Sequence, residues 1–421
     1  MQPTTTIILP GLSTPKPTTV TLQISTSPPT SNELMWEQLG QTIVGESIVG
    51  SQFGHSISLS NDATTLAVGI PYYSDASNTN IGQVRVYTWN QTWRLRGRRS
   101  ITGELAGDEL GTSVALSADG LTLAVGIPKS DVNGIDAGQV SIYRWDTTII
   151  PAQWRRLGTS INGEAAGNNA GYSVALSSNG RICALSSPFS NTGGLQAGSV
   201  RVYSRTDTER WEKLGQSILG EMLSFSGMSI SLSSDGTILA IGSRRASRVR
   251  VFKWDLSSSW IQQGADITGY QSDDYAGHDV SLSDDGNSLA IGSPRYDAQA
   301  GIGISNSGQV RIFNWTGTDW VQIGPAINGI NAGQQLGFSV DMSADGNGVA
   351  IGSHWGTRND SVGKVAVYEF DGSSWLQLGQ VINGDAGDWW GYSVGLSSDG
   401  TKVAVGAPNA EASGAVQVFN T

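Results

Sequence analysis

The sequence predicts an all-β fold, and within that class a seven-bladed β-propeller built from four-stranded antiparallel blades. The segment LGTSVALSADGLTLAVGIP, at Leu110–Pro128, has six further versions along the chain. Seven copies at intervals of about 50–60 residues are typical of a repeat architecture. Small and large side chains alternate through Ser113–Ser117 and again through Leu123–Gly126, which is the period of a β-strand. Ala118-Asp119-Gly120 lies between them and predicts a tight turn, because glycine accepts a positive φ.

The two faces of each predicted hairpin differ in side-chain size rather than in polarity. One face carries branched apolar residues and the other carries Ser, Ala or Gly. This pattern suits a sheet that is covered on both sides, with the bulky face of one unit against the small face of the next. Sheets stacked radially around an axis pack in this way, which favours a propeller.

Each repeat contains four predicted strands: A (SVALS type), B (LAVG type), C (GQVRVYxW type) and D (WxxLG type). The first D segment, Met35–Ile43, precedes every A strand, and the last repeat ends on strand C at Ala415–Phe419. We therefore expect the N-terminal D strand to complete the last blade and close the ring, which removes two exposed sheet edges. The predicted domains are a Thr/Pro/Ser-rich tail or linker at 1–33 and the propeller at 34–421.

Composition narrows the classes of partner. The 421 residues carry a formal net charge of −11, which argues against nucleic acid. We find no apolar run long enough to insert into a membrane and no signal-peptide pattern at the start of this chain. The single cysteine, Cys183, is predicted to be a buried small residue of strand B. The chain is expected to act as a monomer or as part of a longer multidomain protein.

The repeat unit resembles the FG-GAP repeat of the integrin α-subunit propeller. The resemblance lies in the pattern FG…SV…DG…LAVG followed by GxVxVY, and it is nearly literal at Phe53-Gly54 and at Gly406-Ala407-Pro408. The W-x-x-L-G opening is similar to a subgroup of large multi-repeat surface proteins. The resemblance implies a seven-bladed propeller, an extracellular or cell-surface location, and adhesion to a protein or glycan.

The resemblance does not extend to the family's calcium loops between strands A and B. Here that turn is only Ser117–Gly120, too short to supply the six to eight oxygens that Ca²⁺ takes. The B–C loop containing Asp131, Asn133 and Asp136 has alternate oxygen-bearing side chains around a glycine. We interpret it as a solvated turn and keep a Ca²⁺ site as the alternative; no other cofactor is predicted.

Loops on one face are the predicted binding surface. In an antiparallel A-B-C-D order, the D–A and B–C loops leave the sheet at the same end, and these loops vary between repeats. Aromatic side chains in such loops can stack on sugars or anchor a protein interface. The candidate ligand-binding residues are Trp389, Tyr72, Tyr73, Tyr275, Tyr296 and Trp355.

Two acids on strand A offer a different function. Asp279 and Asp341 replace small residues in adjacent repeats, and strand A is expected to lie next to a central channel. Paired carboxylates can act as acid and base. We interpret this pair as channel-lining acids in contact with water and keep catalysis as the alternative.

We therefore predict a non-catalytic interaction module that binds a protein or a glycan through one face. A carbohydrate-binding propeller is the first alternative, and a propeller hydrolase or lyase that uses the channel acids is the second.

Overall fold

The computed structural model describes residues 34–46, 48–255, 258–298, 305–354 and 362–421. Met35–Thr421 form one compact unit. Its regular structure is seven small antiparallel sheets, each with strands in the order A-B-C-D. The predicted seven-bladed β-propeller is confirmed.

The A strands are the innermost, and each contacts the A strands of the neighbouring blades. In blade order, the A strands are Ser56–Leu59, Val114–Leu116, Val174–Leu176, Ser226–Leu232, Asp279–Leu282, Ser339–Met342 and Ser393–Leu396. The B strands are Thr65–Ile70, Thr122–Ile127, Ile182–Ser187, Ile238–Ser243, Ser288–Ser293, Gly348–Ser353 and Lys402–Ala407. The C strands are Gln83–Trp89, Gln139–Asp146, Ser199–Arg205, Arg248–Trp254, Gln309–Trp315, Val362–Phe370 and Ala415–Asn420.

The predicted D strand is divided in six of the seven blades. Both pieces pair with the same C strand, and only in blade 6 do they run together, with bulges, as Trp375–Ala386. The pieces in blades 1 to 5 are Trp93–Leu95 and Ile101–Thr102, Gln153–Arg156 and Ile161–Asn162, Trp211–Lys213 and Ile218–Leu219, Trp260–Gln262 and Ile267–Thr268, and Trp320–Gln322 and Ile327–Asn328. Those of blade 7 are Glu37–Gln38 and Ile43–Val44. Two short 3₁₀ helices, Arg244–Ala246 and Ala410–Ala412, lie in B–C loops, and no helix in the described residues could span a membrane.

The N-terminal strand closes the ring as predicted. Gln38 pairs with Phe419, and Ile43 pairs with Val416 on the last C strand. The same segment also joins the blades on either side. The indole of Trp36 donates to the carbonyl of Leu378 in blade 6 at 2.8 Å. On the other side, the carbonyl of Leu39 accepts from the Trp93 indole of blade 1 at 3.0 Å.

The Trp93 contact recurs around the ring. In six of the seven blades, the first tryptophan of the WxxLG motif donates its indole N–H to a backbone carbonyl in the preceding blade. The tryptophans that define the repeat therefore hydrogen-bond one blade to the next, in addition to packing.

A second connection between blades lies at the A–B turns. One backbone N–H in each turn donates to a carbonyl of the next turn at 2.8–3.1 Å, and the seventh bond returns to the first turn. The residues of this closed hydrogen-bonded circle are Asn61, Ala118, Ser178, Ser234, Asp284, Ala344 and Ser398. These hydrogen bonds hold the blades together at one end of the channel. The variable loops therefore extend from a rigid set of blades at the other end.

In six of the seven blades, a glycine at or next to the start of strand C allows close packing between blades, and blade 4 has Ser247 there. Gly82 has φ +76°, and a Cβ there would lie 2.2 Å from the backbone nitrogen of Leu110. The two residues form a bridge between the B–C loop of blade 1 and the approach to blade 2. This contact brings the B–C and D–A loops together on one face of the propeller, here called the loop face.

Candidate functional site

The central channel is lined by all seven A strands and encloses a cavity of about 570 Å³. Several serine hydroxyls in its wall form hydrogen bonds between blades. Ser58 accepts from the backbone N–H of Leu116 at 3.0 Å, and Ser281 accepts from that of Met342 at 3.1 Å. The small residues that the repeat places on one face of strand A therefore serve as hydrogen-bonding groups between neighbouring A strands.

Asp279 and Asp341 line this channel, where we expected them. The Asp279 carboxylate accepts from the Ser229 hydroxyl at 2.7 Å and from the backbone N–H of Val340 at 2.8 Å. The Asp341 carboxylate accepts from the Ser281 hydroxyl at 3.0 Å, and its second oxygen from a backbone N–H of blade 7 at 2.7 Å. Both acids thus connect consecutive blades.

Burial dominates the protonation of these two acids. It raises the pKa of Asp279 above its usual range. It raises the pKa of Asp341 to about 6, with the neighbouring Asp279 charge adding to the effect and the hydrogen bonds to Asp341 opposing it. A raised carboxyl pKa occurs in catalytic acids and also in structural ones. Since both oxygens of each carboxylate accept hydrogen bonds from the protein, this geometry favours a structural role.

The channel opens on the loop face through a ring of side chains that occupy one position of the repeat. This position directly follows a glycine that lies just before the A strand or, in blade 4, at its second residue. The seven residues, here called the mouth ring, are His55, Thr112, Tyr172, Met228, His278, Phe338 and Tyr392.

Aromatic side chains of the mouth ring pack against one another and against residues from the adjoining loops. The Phe338 ring centroid lies 4.5 Å from His278, 3.7 Å from His354 and 5.1 Å from Tyr392. Tyr392 in turn stands 5.1 Å from His55 and stacks on Trp389 at 6.0 Å with an interplanar angle of 18°. A continuous aromatic surface therefore surrounds part of the channel entrance.

The three histidines of the chain all join this surface, although they lie in different repeats. Burial lowers the pKa of His55 to about 4, of His278 to about 3 and of His354 to about 4. Nearby Arg244, His354 and Arg295 contribute to the effect on His278. All three imidazoles are therefore neutral at pH 7, and they act as polar aromatic rings rather than as cations.

Arginines extend the mouth on one side. The guanidinium carbons of Arg244 and Arg295 lie 5.2 and 4.3 Å from the ring centroid of Tyr275, whose hydroxyl accepts from Arg295 at 2.9 Å. Arg245 lies 5.6 Å from the Phe225 ring. The mouth thus offers aromatic faces and guanidinium donors together.

Tyr275 and Trp389 share another repeat position, two residues before the same glycine. All seven residues at this position have a left-handed backbone, with φ between 51° and 60°: Gln52, Glu109, Asn169, Phe225, Tyr275, Gln335 and Trp389. Bulky side chains rarely adopt this conformation. Three blades nevertheless place an aromatic ring there, which turns the ring towards the mouth rather than into a blade.

The loop face also exposes large apolar side chains around blades 1 to 4. They lie at tips of D–A and B–C loops whose backbones are hydrogen-bonded to each other, for instance Gly167 N–H to the Ile135 carbonyl at 2.8 Å. We call them the apolar loop tips: Leu105, Val132, Ile135, Leu195, Met222 and Leu223, with exposed fractions from 41% to 75%.

The predicted ligand-binding aromatics divide into two groups. Tyr72 lies beside His55, with ring centroids 6.5 Å apart, and so joins Trp389 and Tyr275 at the mouth. Tyr73 instead packs against the core between blades 7 and 1, and Tyr296 packs 6.1 Å from Tyr270, away from the mouth residues. Trp355 lies outside the described residues.

In the B–C loop that we interpreted as a solvated turn, with Ca²⁺ as the alternative, the candidate ligands are held by protein groups. Asp131 accepts from the backbone N–H of Asp136 at 2.8 Å, and the Asp136 carboxylate pairs with Lys129 at 3.1 Å. The amide of Asn133 donates to the carbonyl of Gly163 at 2.8 Å. Among the described residues, no group of three or more His, Cys, Asp or Glu side chains is arranged to hold a metal ion.

Cys183 is buried in the core between blades 2 and 3. Burial raises the pKa of its thiol to about 12. The thiol is therefore protonated at neutral pH, as expected for a packing residue.

Sequence reasoning missed Tyr172, Phe338 and Tyr392 at the mouth. The signal was present, because all three stand at the same offset from a repeat glycine. Aligning the seven repeats and asking which positions vary in size near the start of strand A would have found them. The contacts between His278, Phe338 and His354 could not be predicted from spacing, since they depend on the rotation from one blade to the next.

Comparison with known proteins supports the fold alone. No family model matches the chain. No curated protein matches it either. Among solved structures, the hydrazine synthase of Kuenenia stuttgartiensis is similar at a TM-score of 0.56 and 16% identity, covering 90% of this chain and 97% of that chain. At this identity the similarity shows a shared architecture and carries no activity to this chain.

Proposed function

We propose that this protein is a non-catalytic interaction module that binds a protein partner through the loop face. The observation that carries the proposal is the set of apolar loop tips. Ile135 is 75% exposed and Met222 is 67% exposed, although both lie on loops with fixed backbones. Exposed apolar side chains grouped on one face are typical of protein interaction sites.

The rigidity of the propeller supports this function. The circle of hydrogen bonds at the A–B turns and the N-terminal strand hold the blades in place. The loops on them are therefore already ordered before a partner binds. Such preorganisation lowers the entropic cost of binding. The repeat's resemblance to the FG-GAP pattern supports an extracellular or cell-surface setting as part of the proposal.

Site-specific photocrosslinking tests the proposal even though the partner is unidentified. A photoreactive phenylalanine derivative would replace Ile135 in the full chain, and in a matched variant it would replace Ile261, which is 51% exposed on a D strand. We expect a discrete protein adduct from position 135, in extracts or on cells of the source organism, that position 261 does not give. Equal adducts from both positions, or none from position 135, would contradict the proposal.

A carbohydrate ligand is the second candidate, and the channel mouth favours it. Trp389 and Tyr392 present nearly parallel rings at 18° above a channel wall of serine hydroxyls. Aromatic faces beside hydroxyl groups suit the apolar and polar sides of a sugar ring. We expect a glycan array to show binding that Trp389→Ala removes. Trp315→Ala, at the opposite end of a C strand, serves as the control. Glycan binding that survives Trp389→Ala would exclude the mouth as its site.

The geometry of Asp279 and Asp341 favours a structural role over hydrolysis or elimination. Each carboxylate accepts hydrogen bonds at both oxygens from neighbouring blades. We therefore propose no catalytic step for them.

A further inference from the structure

Arginines that project from strand C lie in clefts between blades. One repeat position holds Arg201, Arg250 and Arg311 in blades 3, 4 and 5, and Arg85, which pairs with Glu46, in blade 1. In blades 3, 4 and 5, the Nη2 group donates to a backbone carbonyl on the D strand of the preceding blade, at 3.2, 2.8 and 2.7 Å respectively. Each guanidinium therefore joins two blades.

An aromatic ring also contacts each of these three arginines. We call the accepting carbonyl and the ring together the arginine cradle. The ring lies two residues further along the same strand, as Tyr203, Phe252 or Phe313. The guanidinium carbon is 5.8, 5.3 and 5.3 Å from the respective ring centroids. A guanidinium over an aromatic face is attracted by the ring quadrupole, more strongly where water is excluded.

Blade 6 has Ala366 at the arginine position. The cleft between blades 5 and 6 then contains a cavity of about 210 Å³, and Ala366 forms part of its wall. Four blades carry an arginine at this position, and blades 2 and 7 have Ser141 and Gln417. Blade 6 has the smaller alanine, and a cavity remains in its cleft.

The other parts of the cradle are still present. Asn328 is the counterpart of Asn162, Leu219 and Thr268, which supply the accepting carbonyls elsewhere, and it lines the cavity. Tyr368 lines the cavity at the position of the ring. Leu336 and Ile351 provide buried apolar surface against which the methylenes of an arginine stem could pack.

The rim of this cavity is open to a partner. Ile330 is 78% exposed, and Asn331, Gln377 and Asn383 also line the opening. The formal charge of −11 on the whole chain attracts a cationic partner at long range. Lys364 is the one cationic side chain among the lining residues, and it opposes a second cation there. Its long stem is half-buried, so its ammonium group can turn towards water when the cleft is occupied.

We propose that the cleft between blades 5 and 6 binds an arginine side chain of a partner protein. The guanidinium occupies the cradle formed by Asn328 and Tyr368, in the manner of Arg250 and Arg311 in their own clefts. This site uses different residues from the apolar loop tips, although its rim includes Ile330 and Asn331 of a D–A loop.

Titration of the full chain with Nα-acetyl-arginine methylamide, followed by NMR, tests the proposal. The matched probe is the citrulline analogue, which keeps the shape but lacks the charge. We expect saturable binding of the arginine probe, with the citrulline probe about tenfold weaker or weaker still. Equal binding of the two probes, or no binding of the arginine probe, would overturn the proposal.

Two variants test whether the arginine probe binds in the cleft between blades 5 and 6. Ala366→Arg fills the cradle from within and should abolish binding. Leu376→Arg adds the same side chain to the same blade at an exposed position where blades 1 and 2 have Arg94 and Arg155, and it should leave binding unchanged. Binding that survives Ala366→Arg would overturn the assignment.

Thermal unfolding shows whether Ala366→Arg is folded. If it is not, two further variants test the same site. Tyr368→Leu removes the ring and should weaken binding several-fold, whereas Lys364→Ala removes the competing charge and should strengthen it. If neither variant changes the affinity, the cleft is not the site.

Discussion

The carboxylate of Asp279 in blade 5 accepts a hydrogen bond from the backbone N–H of Val340 in blade 6, at 2.8 Å. Asp341 repeats the arrangement one blade further on, with the N–H of Leu396 at 2.7 Å. Other A strands use serine for contacts of this kind. The two acids thus replace serine in these contacts, and among the described residues their carboxylates connect four consecutive blades, 4 to 7.

Removing either acid should destabilise the ring. Asp279→Ala leaves the N–H of Val340 and the hydroxyl of Ser229 without their acceptor, so we expect a loss of about 1–3 kcal/mol in the free energy of unfolding. Denaturation in urea measures it. The control is Asp284→Ala, because burial raises the pKa of both acids but no hydrogen bond to the Asp284 carboxylate offsets it among the described residues. Equal losses for the two variants would show that the carboxylate of Asp279 is not a bridge between blades.

Stability should fall on mild acidification because of the histidines at the mouth. Their folded pKa values, about 4, 3 and 4, lie below the unfolded value of 6.5. The unfolded state therefore binds more protons, and stability that is complete above pH 6.5 is lost as the pH falls towards 4. The cost at pH 5 is on the order of 2 kcal/mol for each histidine.

Asp341 acts in the opposite direction over the same range. Its folded pKa of about 6 exceeds the unfolded value, so acidification through pH 6 relieves a charge penalty. This gain is on the order of 1 kcal/mol between pH 7 and 5, and the three histidines outweigh it. Urea denaturation at pH 7 and pH 5 measures the net fall. His278→Phe, which copies the residue that blade 6 has as Phe338, should reduce that fall. If the free energy of unfolding falls as much in this variant as in the unchanged protein, His278 is not a source of the pH dependence.

Two turn glycines should differ in their tolerance of a methyl group. Gly120 and Gly400 end equivalent A–B turns with φ of +63° and +72°. A Cβ on Gly120 would lie 2.7 Å from Thr65 side-chain atoms, whereas on Gly400 the nearest atom is a Ser343 Cβ at 3.8 Å. Both Ala variants carry the left-handed conformational cost of about 1–2 kcal/mol. Gly120→Ala should cost more because it also crowds blade 1. An equal fall in Tm for the two variants would contradict this prediction, because it would mean that Thr65 moves away from the added methyl group at no cost.

The repeat pattern was enough to predict the blade count, the strand order and the closure by Met35–Ile43, because each follows from local alternation and from the phase of the repeat. The position of Asp279 and Asp341 in the channel could be predicted because both lie on strand A, which is the innermost strand of a blade. The division of the D strand in six of the seven blades was not predicted, because the alternation of residues around Leu39-Gly40 and its counterparts does not show where pairing with strand C stops. The mouth ring and the empty arginine cradle depend on contacts between blades, which the period of a single repeat does not encode.

Cooperative unfolding of two truncated chains tests the closed ring most directly. A variant that lacks residues 2–44 loses the strand that pairs with Phe419 and Val416 and that hydrogen-bonds blades 6 and 1. A control that lacks residues 2–33 keeps every strand of the seven blades. By differential scanning calorimetry, we expect the control to unfold in a single transition at the Tm of the full chain. The shorter variant should lose about 5 °C or more, or unfold in several steps. A single transition at the same Tm in both variants would contradict closure by the N-terminal strand.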